Sequence, residues 1–209
     1  MKKAFYLVLF FFLLMLSNNT FGQRAEIIDY NSHFKNEFKG WVKSFNRFNL
    51  DSFKKSETFS FENIPFMDII DTSSFYSIYK PALTFSKDKK QFIDIYSYWL
   101  NLESEGKKII SRGGEADQAI ALCNLKTKNW IRILFRGTTE RIQDVTWVNN
   151  SKFILVGVNE NEAGKLYPVI YLGNIITKEF TLFTALNKQF TQNTVYTSPK
   201  LLRLKIQER

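Results

Sequence analysis

The sequence predicts a mainly β (α+β) fold, in which two antiparallel four-stranded meanders follow an amphipathic N-terminal helix. From Pro81 onward, short apolar runs alternate with polar turns, the usual pattern of β-strands joined by tight connections. The stretch PALTFSKDKKQFIDIYSY at 81–98 returns in outline as QDVTWVNNSKFILVGVNE at 143–160. Before this repeat, aromatic residues recur at helical spacing between residues 30 and 48.

Residues 1–22 have the pattern of a secretory signal peptide. Lys2 and Lys3 precede an apolar run at 4–16, which is shorter than the roughly 20 residues of a membrane span. The small residues Thr20 and Gly22 stand where a signal peptidase reads the chain and predict cleavage near Gly22, so we expect an exported protein, periplasmic or extracellular. An uncleaved N-terminal anchor is the alternative, although no stop-transfer pattern follows the apolar run.

The remaining chain, 23–209, is long enough for one globular domain with its own core. The full chain has a net charge of +9. Its lysines are scattered along the sequence rather than massed in one run, so we interpret this charge as a solvated surface. Cys123 is the only cysteine, which excludes an intramolecular disulfide and suits a bacterial envelope protein.

The segment 30–48 predicts the N-terminal helix. Its apolar residues fall on one helical face, and these are Phe34, Phe38, Trp41, Val42, Phe45 and Phe48. A neighbouring stripe is basic, and consists of Lys35, Lys39, Lys43 and Arg47. We expect the aromatic face to pack on the domain. A basic helix that docks on a membrane or on a partner protein is the alternative.

The chain divides into four parts after the signal peptide. An N-terminal part, 23–80, contains the helix and an irregular segment with short strands such as ETFSFEN at 57–63. The first meander, 81–135, has four predicted strands at 82–85, 92–102, 119–125 and 130–135, a returning segment at 108–111, and turns at 86–90 and 112–115. The second meander, 136–185, has predicted strands at 145–148, 153–158, 169–175 and 180–183. A polar C-terminal tail, 186–209, follows.

The two meanders correspond closely to each other. Thr84-Phe85-Ser86 corresponds to Thr146-Trp147-Val148, and CNLKTKNW at 123–130 corresponds to GNIITKEF at 173–180. Each unit, within 81–184, resembles the blade of a β-propeller, which implies a four-stranded meander with an aromatic residue closing its first strand. The Trp-Asp and Gly-His dipeptides of WD repeats are absent.

The number of repeats does not suffice for a closed propeller, which needs at least four blades of about 40 residues each. Two sheets packed face to face or side by side and capped by the helix are the favoured arrangement, because each sheet needs cover for its apolar face. An incomplete propeller that closes by oligomerisation, or weak blades hidden in 49–80, are the alternatives.

The sequence offers no common catalytic or metal-binding motif. His33 is the only histidine, so the usual zinc sites and a Ser-His-Asp triad lack their ligands or partners. Cys123 lies among apolar residues, which favours a structural thiol over a nucleophile. Gly113-Gly114 predicts a turn rather than a phosphate-binding loop. No metal or cofactor is therefore predicted.

Asp94 is the candidate catalytic carboxylate, because it interrupts the strand QFIDIYSYW. Alternation along this strand would place it beside Phe92 and Tyr96, opposite Ile93. An acid on a solvent-facing strand is the simpler interpretation, and Asp144 is expected to make only a local turn bond. A glycosidase would need a second carboxylate facing Asp94.

Arg132, Arg136 and Arg141 flank the last hairpin of the first meander and are the candidate ligand-binding residues, as a patch for an anionic ligand. Together these observations predict an exported, non-enzymatic recognition domain that binds a protein or another ligand in the bacterial envelope. The alternatives are a carboxylate-based carbohydrate-active enzyme and a membrane-surface protein that uses the basic helix. The partner is unknown, another envelope protein being one possibility, and nucleic acid is not expected.

Overall fold

A computed structural model describes residues 26–66, 72–106, 108–185 and 190–207. The predicted signal peptide lies outside these residues. Within them the fold is mainly β, as predicted, with 48% strand in antiparallel five-stranded sheets, a few short helices and no closed propeller. Among the described residues, no helix has the length and apolar character needed to cross a membrane.

The helices are short. The α-helices are α1 (Asn31–Lys35), α2 (Lys39–Lys43), α3 (Thr72–Tyr79) and α4 (Pro199–Leu202), and 3₁₀ turns occur at Glu26–Tyr30 and Leu50–Ser52. The strands are β1 (Phe53–Ser60), β2 (Ile64–Pro65), β3 (Thr84–Phe85), β4 (Gln91–Asp94), β5 (Leu100–Glu105), β6 (Lys108–Gly114), β7 (Gln118–Asn124), β8 (Asn129–Arg136), β9 (Glu140–Trp147), β10 (Lys152–Glu160), β11 (Leu166–Asn174), β12 (Glu179–Ala185) and β13 (Ile206–Gln207).

The strands form three sheets. Sheet A has the order β1-β12-β11-β10-β9, and sheet B has the matching order β2-β8-β7-β4-β3. Sheet C is small and has the order β13-β6-β5. Each of the two predicted meanders is present, but each gains a fifth strand from the N-terminal part, because β1 pairs with β12 and β2 pairs with β8. The prediction of four-stranded sheets was therefore one strand short.

The predicted strand at 92–102 is broken after Asp94. The Asp94 carboxylate accepts hydrogen bonds from the backbone N–H groups of Tyr96 (2.9 Å) and Ser97 (3.0 Å). These bonds stabilise a turn where the apolar sequence suggested a continuous strand. The chain then forms the β5–β6 hairpin, which leaves sheet B and belongs to sheet C. Sheet B continues only when β7 returns beside β4.

The predicted N-terminal helix is also interrupted. Asn36 ends α1 with φ −111° and ψ −84°, and α2 starts only at Lys39. Neither helix has a side-chain cap, and Gly40 lies inside α2, so a single long helix is locally unfavourable. The apolar face nevertheless packs as predicted, with Phe34, Phe38 and Trp41 buried.

In the described part of the chain, sheets A and B and the helices on their outer faces form four layers. One face of sheet A, with Ile154 and Leu172, is covered by α1 and α2. Its other face, with Phe153 and Tyr171, packs on sheet B in one shared core. The outer face of sheet B is covered by α3, whose Phe75 lies 4.7 Å from the Trp130 ring. Both sheets therefore bury both faces, which explains why β7, β10 and β11 are apolar nearly throughout.

Gln118 fastens the two sheets together at the end opposite the β3–β4 turn. Its side-chain amide donates to the carbonyls of Ile95 (2.8 Å) and Ile142 (3.0 Å), and its oxygen accepts from Ile142 N–H (2.7 Å). The side chain is fully buried. These hydrogen bonds hold the start of β7, where the chain returns from the inserted hairpin, against β9.

Candidate functional site

The two repeats differ most at one connection. Strands β10 and β11 of sheet A are joined by a tight turn at 161–165, stabilised by Asn161 side-chain bonds. The equivalent connection in sheet B, between β4 and β7, carries the whole β5–β6 hairpin. Because the two sheets have the same strand order without it, this insertion is not needed to complete the repeat. Its base is therefore a candidate position for a functional site.

Asp94 is the last residue of β4, directly before this insertion, and, contrary to the prediction, it does not face solvent. It is only 2% exposed, and besides two backbone N–H groups it accepts a hydrogen bond from the Ser97 hydroxyl. Burial raises the pKa of Asp94, although these hydrogen bonds oppose the increase. The contacts describe a carboxylate that shapes a turn.

Tyr79 attaches β5 to the body of the domain. Its hydroxyl donates to the carbonyl of Leu100 (2.5 Å) and accepts from Leu102 N–H (3.1 Å). Burial raises the pKa of Tyr79. Since this side chain comes from the last turn of α3, the helix holds both the outer face of sheet B and the inserted hairpin.

The glycine pair forms a bulge in β6 instead of the predicted turn. Leu100 pairs with Gly114 and Leu102 with Ser111, so Arg112 and Gly113 are extra residues opposite Asn101. Gly113 has φ +107°, and a Cβ on Gly114 would lie 2.6 Å from the carbonyl oxygen of Trp99. Both glycines are therefore required for the bulge, which redirects the Arg112 side chain.

A polar cleft of about 410 Å³ lies beside this bulge. Its lining comes from α3, the turn after β4 and both strands of the hairpin: Tyr79, Ser97, Tyr98, Asn101, Arg112, Gly113, Gly114 and Glu115. Tyr98 is 38% exposed, and its ring contacts the rings of Phe66 and Phe135 at centroid distances of 6.2 and 6.0 Å. We call this feature the hairpin cleft.

Arg112 is held in position at the mouth of the hairpin cleft. Its guanidinium donates to Glu103 and Glu105 of β5, each at 2.7 Å. The hydrogen bond to Glu103 is the main cause of its raised pKa. Two carboxylates on one guanidinium leave the site without excess positive charge. The hairpin cleft thus combines an aromatic face with neutral and charged hydrogen-bonding groups.

The structure separates the three predicted ligand-binding arginines. Arg132 is paired with Glu62 (2.6 Å) on the outer side of sheet B. Arg136 lies between the sheets, paired with Glu140 (2.7 Å) and 3.2 Å from the Tyr171 hydroxyl. Each of these cations already has a carboxylate partner.

Arg141 lies apart from the other two. It stacks on Trp99, with its guanidinium carbon 4.4 Å from the ring centroid, and donates to the carbonyl of Ala116 (3.0 Å). Burial lowers its pKa, an effect that Asp117 opposes. Through these contacts Arg141 packs on the residues that flank the β5–β6 hairpin. Binding of an anionic ligand by the three arginines stays a prediction.

Sequence reasoning missed a buried ion pair on β9. Asp144 is 1% exposed and binds the Lys200 ammonium, the Tyr196 hydroxyl (2.6 Å) and its neighbour Val145 N–H (2.8 Å). The expected local hydrogen bond, from Val145 N–H, is thus present, but the main partners of Asp144 are Lys200 and Tyr196. The partners lie more than fifty positions further along the chain, and no spacing rule links residues so far apart.

The basic N-terminal segment does not offer an apolar surface. Phe34, Phe38, Trp41 and Phe45 are buried against sheet A. A helix that docks on a membrane through this stripe would need it exposed, so the structure disfavours that alternative.

Comparisons with protein-family descriptions, curated proteins and solved structures find no match to this chain. Among the described residues, no group of three potential metal ligands lies together. The geometry of the molecule is therefore the basis for any functional proposal.

Proposed function

We propose that the protein is an exported, non-enzymatic recognition domain, built on two blade-like sheets, which binds a polar ligand in the hairpin cleft. The observation that carries this proposal is the β5–β6 insertion, because it is the largest departure from the repeat and it forms a cleft where the other sheet has a tight turn. Binding residues on loops and insertions of a rigid scaffold are a common arrangement.

The lining favours a saccharide over an apolar ligand. Tyr98 is partly exposed and is held by two neighbouring rings, so it is a rigid platform for a sugar ring. Asn101, Arg112 and Glu115 surround it with donors and acceptors for hydroxyl groups. The bulge and the Tyr79 hydrogen bonds fix these groups in advance, which limits the entropy lost on binding.

The enzymatic alternative finds less support. Glu115 is the only carboxylate among the described residues that line the hairpin cleft. Glycoside hydrolysis by the usual mechanisms needs a pair of carboxyl groups about 5–10 Å apart. Asp94 is turned into the protein and bonded to its own turn.

The test is binding of the processed protein to an array of immobilised neutral and acidic oligosaccharides, followed by titration with each oligosaccharide retained. We expect Tyr98→Ala to weaken binding roughly tenfold, because the stacking platform is lost. Tyr167→Ala is the matched control, since Tyr167 lines a different cavity at the end of sheet A, and it should bind like the wild type.

Equal losses in both variants, or retention of no oligosaccharide, would count against a saccharide site in the cleft. Cleavage of the retained sugars would instead favour the enzymatic alternative. The export part of the proposal predicts that N-terminal sequencing of the processed protein starts at Gln23.

A further inference from the structure

Four hairpin turns come together at one end of the molecule. They are the turns after β3, β7, β9 and β11, at residues 86–90, 125–128, 148–151 and 175–178. Hydrogen bonds join them in a row: Ile175 N–H to the carbonyl of Ser151 (2.9 Å), Asp88 N–H to the Asn150 side chain (3.0 Å), and Leu125 N–H to the carbonyl of Lys90 (2.9 Å). They form one continuous surface, which we call the basic end.

The basic end collects lysines that lie far apart in the sequence. With the first residue of each following strand, the four turns contain Lys87, Lys89, Lys90, Lys126, Lys128, Lys152 and Lys178. The acidic residues in the same segments are Asp88 and Glu179. Asp88 is partly neutralised by Lys90, 3.6 Å away. The interpretation of the lysines as scattered charge therefore applies to the sequence but not to the folded surface.

Three of these lysines occupy strained backbone positions. Lys89, Lys128 and Lys178 have φ values of 56°, 52° and 56°, in the left-handed region. Glycine or asparagine adopts this conformation at lower cost and is the usual choice in such turns. The fold alone therefore does not explain a lysine at the same position of three turns.

An apolar side chain stands among the lysines. Ile176, beside Lys178 at the tip of the β11–β12 turn, is 77% exposed. Its neighbour Ile175 is half-buried on the core, which holds the turn in place. Lysines around an exposed aliphatic tip suit an anionic lipid surface, since lysines are attracted to the headgroups and the apolar group enters the interface.

Nucleic acid fits this surface less well. Proteins that bind single strands present exposed aromatic rings between their cations. At the basic end the nearby rings of Trp130, Trp147 and Phe180 are buried in the core. No arginine occurs in these four turns, so the bidentate contacts that read bases or phosphates are missing.

We propose that the basic end docks the protein on an anionic lipid surface, with Ile176 entering the headgroup layer. The β4–β7 connection leaves sheet B at the opposite end of its strands. A molecule docked in this way directs the hairpin cleft away from the lipid. The inference does not depend on what that cleft binds.

The experiment is sedimentation of the processed protein with vesicles of phosphatidylcholine, with and without phosphatidylglycerol. We expect binding only to the anionic vesicles, and weaker binding as salt is added. The triple variant K89N/K128N/K178N should bind roughly a hundredfold more weakly, since each lysine near an anionic surface contributes about fivefold. Asparagine tolerates the left-handed region, so this variant should unfold at the wild-type temperature or above.

Two further variants separate the surface from net charge. I176S should bind roughly fivefold more weakly without any change of charge. K35Q/K39Q/K43Q removes the same number of charges from the N-terminal helices and should bind like the wild type. The proposal is overturned if anionic vesicles do not retain the protein, or if the control variant loses as much binding as the triple variant. Binding to double-stranded DNA or heparin without vesicle binding would equally reject it.

Discussion

Asp94 shows how one buried carboxylate determines the course of the chain. Its two oxygens are bonded to Tyr96 and Ser97, directly after the last residue of β4. Without these bonds, the apolar sequence that follows could continue as a strand. The residue therefore ends β4 and starts the insertion, although it does not touch the hairpin cleft.

The charge of Asp94 has a predictable effect on stability. Burial raises its pKa above the ordinary value of 3.8, so the folded state binds this proton more tightly than the unfolded chain. The resulting stabilisation is complete below about pH 4 and is lost as the pH rises through the folded-state pKa. Asp94→Asn keeps an acceptor for the turn and cannot ionise. We expect the free energy of unfolding of this variant, measured by urea titration, not to decrease as the pH rises through that pKa. At pH 7 it should equal or exceed the free energy of unfolding of the wild type.

Asp94→Ala provides the comparison. It removes the acceptor and leaves the N–H groups of Tyr96 and Ser97 without their partner, so we expect a loss of about 1–3 kcal/mol at every pH. If the asparagine variant is as unstable as the alanine variant at pH 7, the turn needs the charge itself, and burial of that charge is not the destabilising factor.

The matching elements of sheets A and B differ in how they pack equivalent positions. In sheet B, Phe92 and Trp130 flank Cys123. In sheet A, Phe153 and Phe180 flank Gly173. A Cβ on Gly173 would lie 2.2 Å from the Phe153 ring. The glycine therefore lets Phe153 lie flat across β11, where Trp147 and Phe180 enclose it.

Gly173→Ala should destabilise the protein by about 1–3 kcal/mol, because the enclosed Phe153 ring cannot move without disturbing the core. Urea unfolding followed by tryptophan fluorescence measures this loss. Gly137→Ala is the control. A Cβ at this position would lie 3.9 Å from its nearest neighbour, a carboxylate oxygen of Asp117, and Gly137 does not have a positive φ. We expect the control to lie within about 0.5 kcal/mol of the wild type. A G173A variant within the same range would contradict the packing argument.

At the level of elements, the sequence predicted the strands of the repeat and missed their interruption. Short apolar runs bounded by polar turns identify β7 to β12, because each of these strands has its own local signals. The aromatic run at 92–102 satisfies the same pattern, and only the contacts of Asp94 divide it. Strand β2 has two residues, one of them Pro65, and pairs with β8 nearly seventy positions away. No local signal could reveal it.

On the scale of the whole molecule, the C-terminal segment 190–207 ties the layers together. Gln192 bonds to Ser44 (2.9 Å) beside α2 and to Gln143 (3.2 Å) on β9. Lys200 binds Asp144, and β13 pairs with β6 of the inserted hairpin. The segment thus connects the N-terminal helices, the edge of sheet A and sheet C.

Lys200→Ala should cost about 3–5 kcal/mol, because Asp144 would remain buried without its cation. The double variant D144N/K200M replaces the pair by uncharged groups of similar size and should recover most of the loss. Thermal unfolding of the wild type and both variants measures the stability lost in K200A and recovered in the double variant. If the double variant is no more stable than K200A, the uncompensated charge is not the cause.

The candidate site was only partly visible in the sequence. The glycine pair and the acid at 94 marked the right region, but the cleft depends on a bulge and on Tyr79, which arrives from a separate helix. The basic end was invisible for a related reason. Its lysines are distributed over positions 87–178, and only the parallel orientation of the two meanders brings them to one surface.

The pairing of β1 with β12 at the edge of sheet A also sets the order of assembly. Thr58 of β1 and Thr181 of β12 face each other across a separation of 123 residues. An exported chain that emerges from its N-terminus must expose all of that length before the two strands can meet. During this interval β1 has no strand to join, and its sequence FKKSETFS is largely polar, which protects a waiting edge from aggregation. The first strand to be synthesised is therefore among the last to be paired, and the sheet is completed only after nearly the entire chain has emerged.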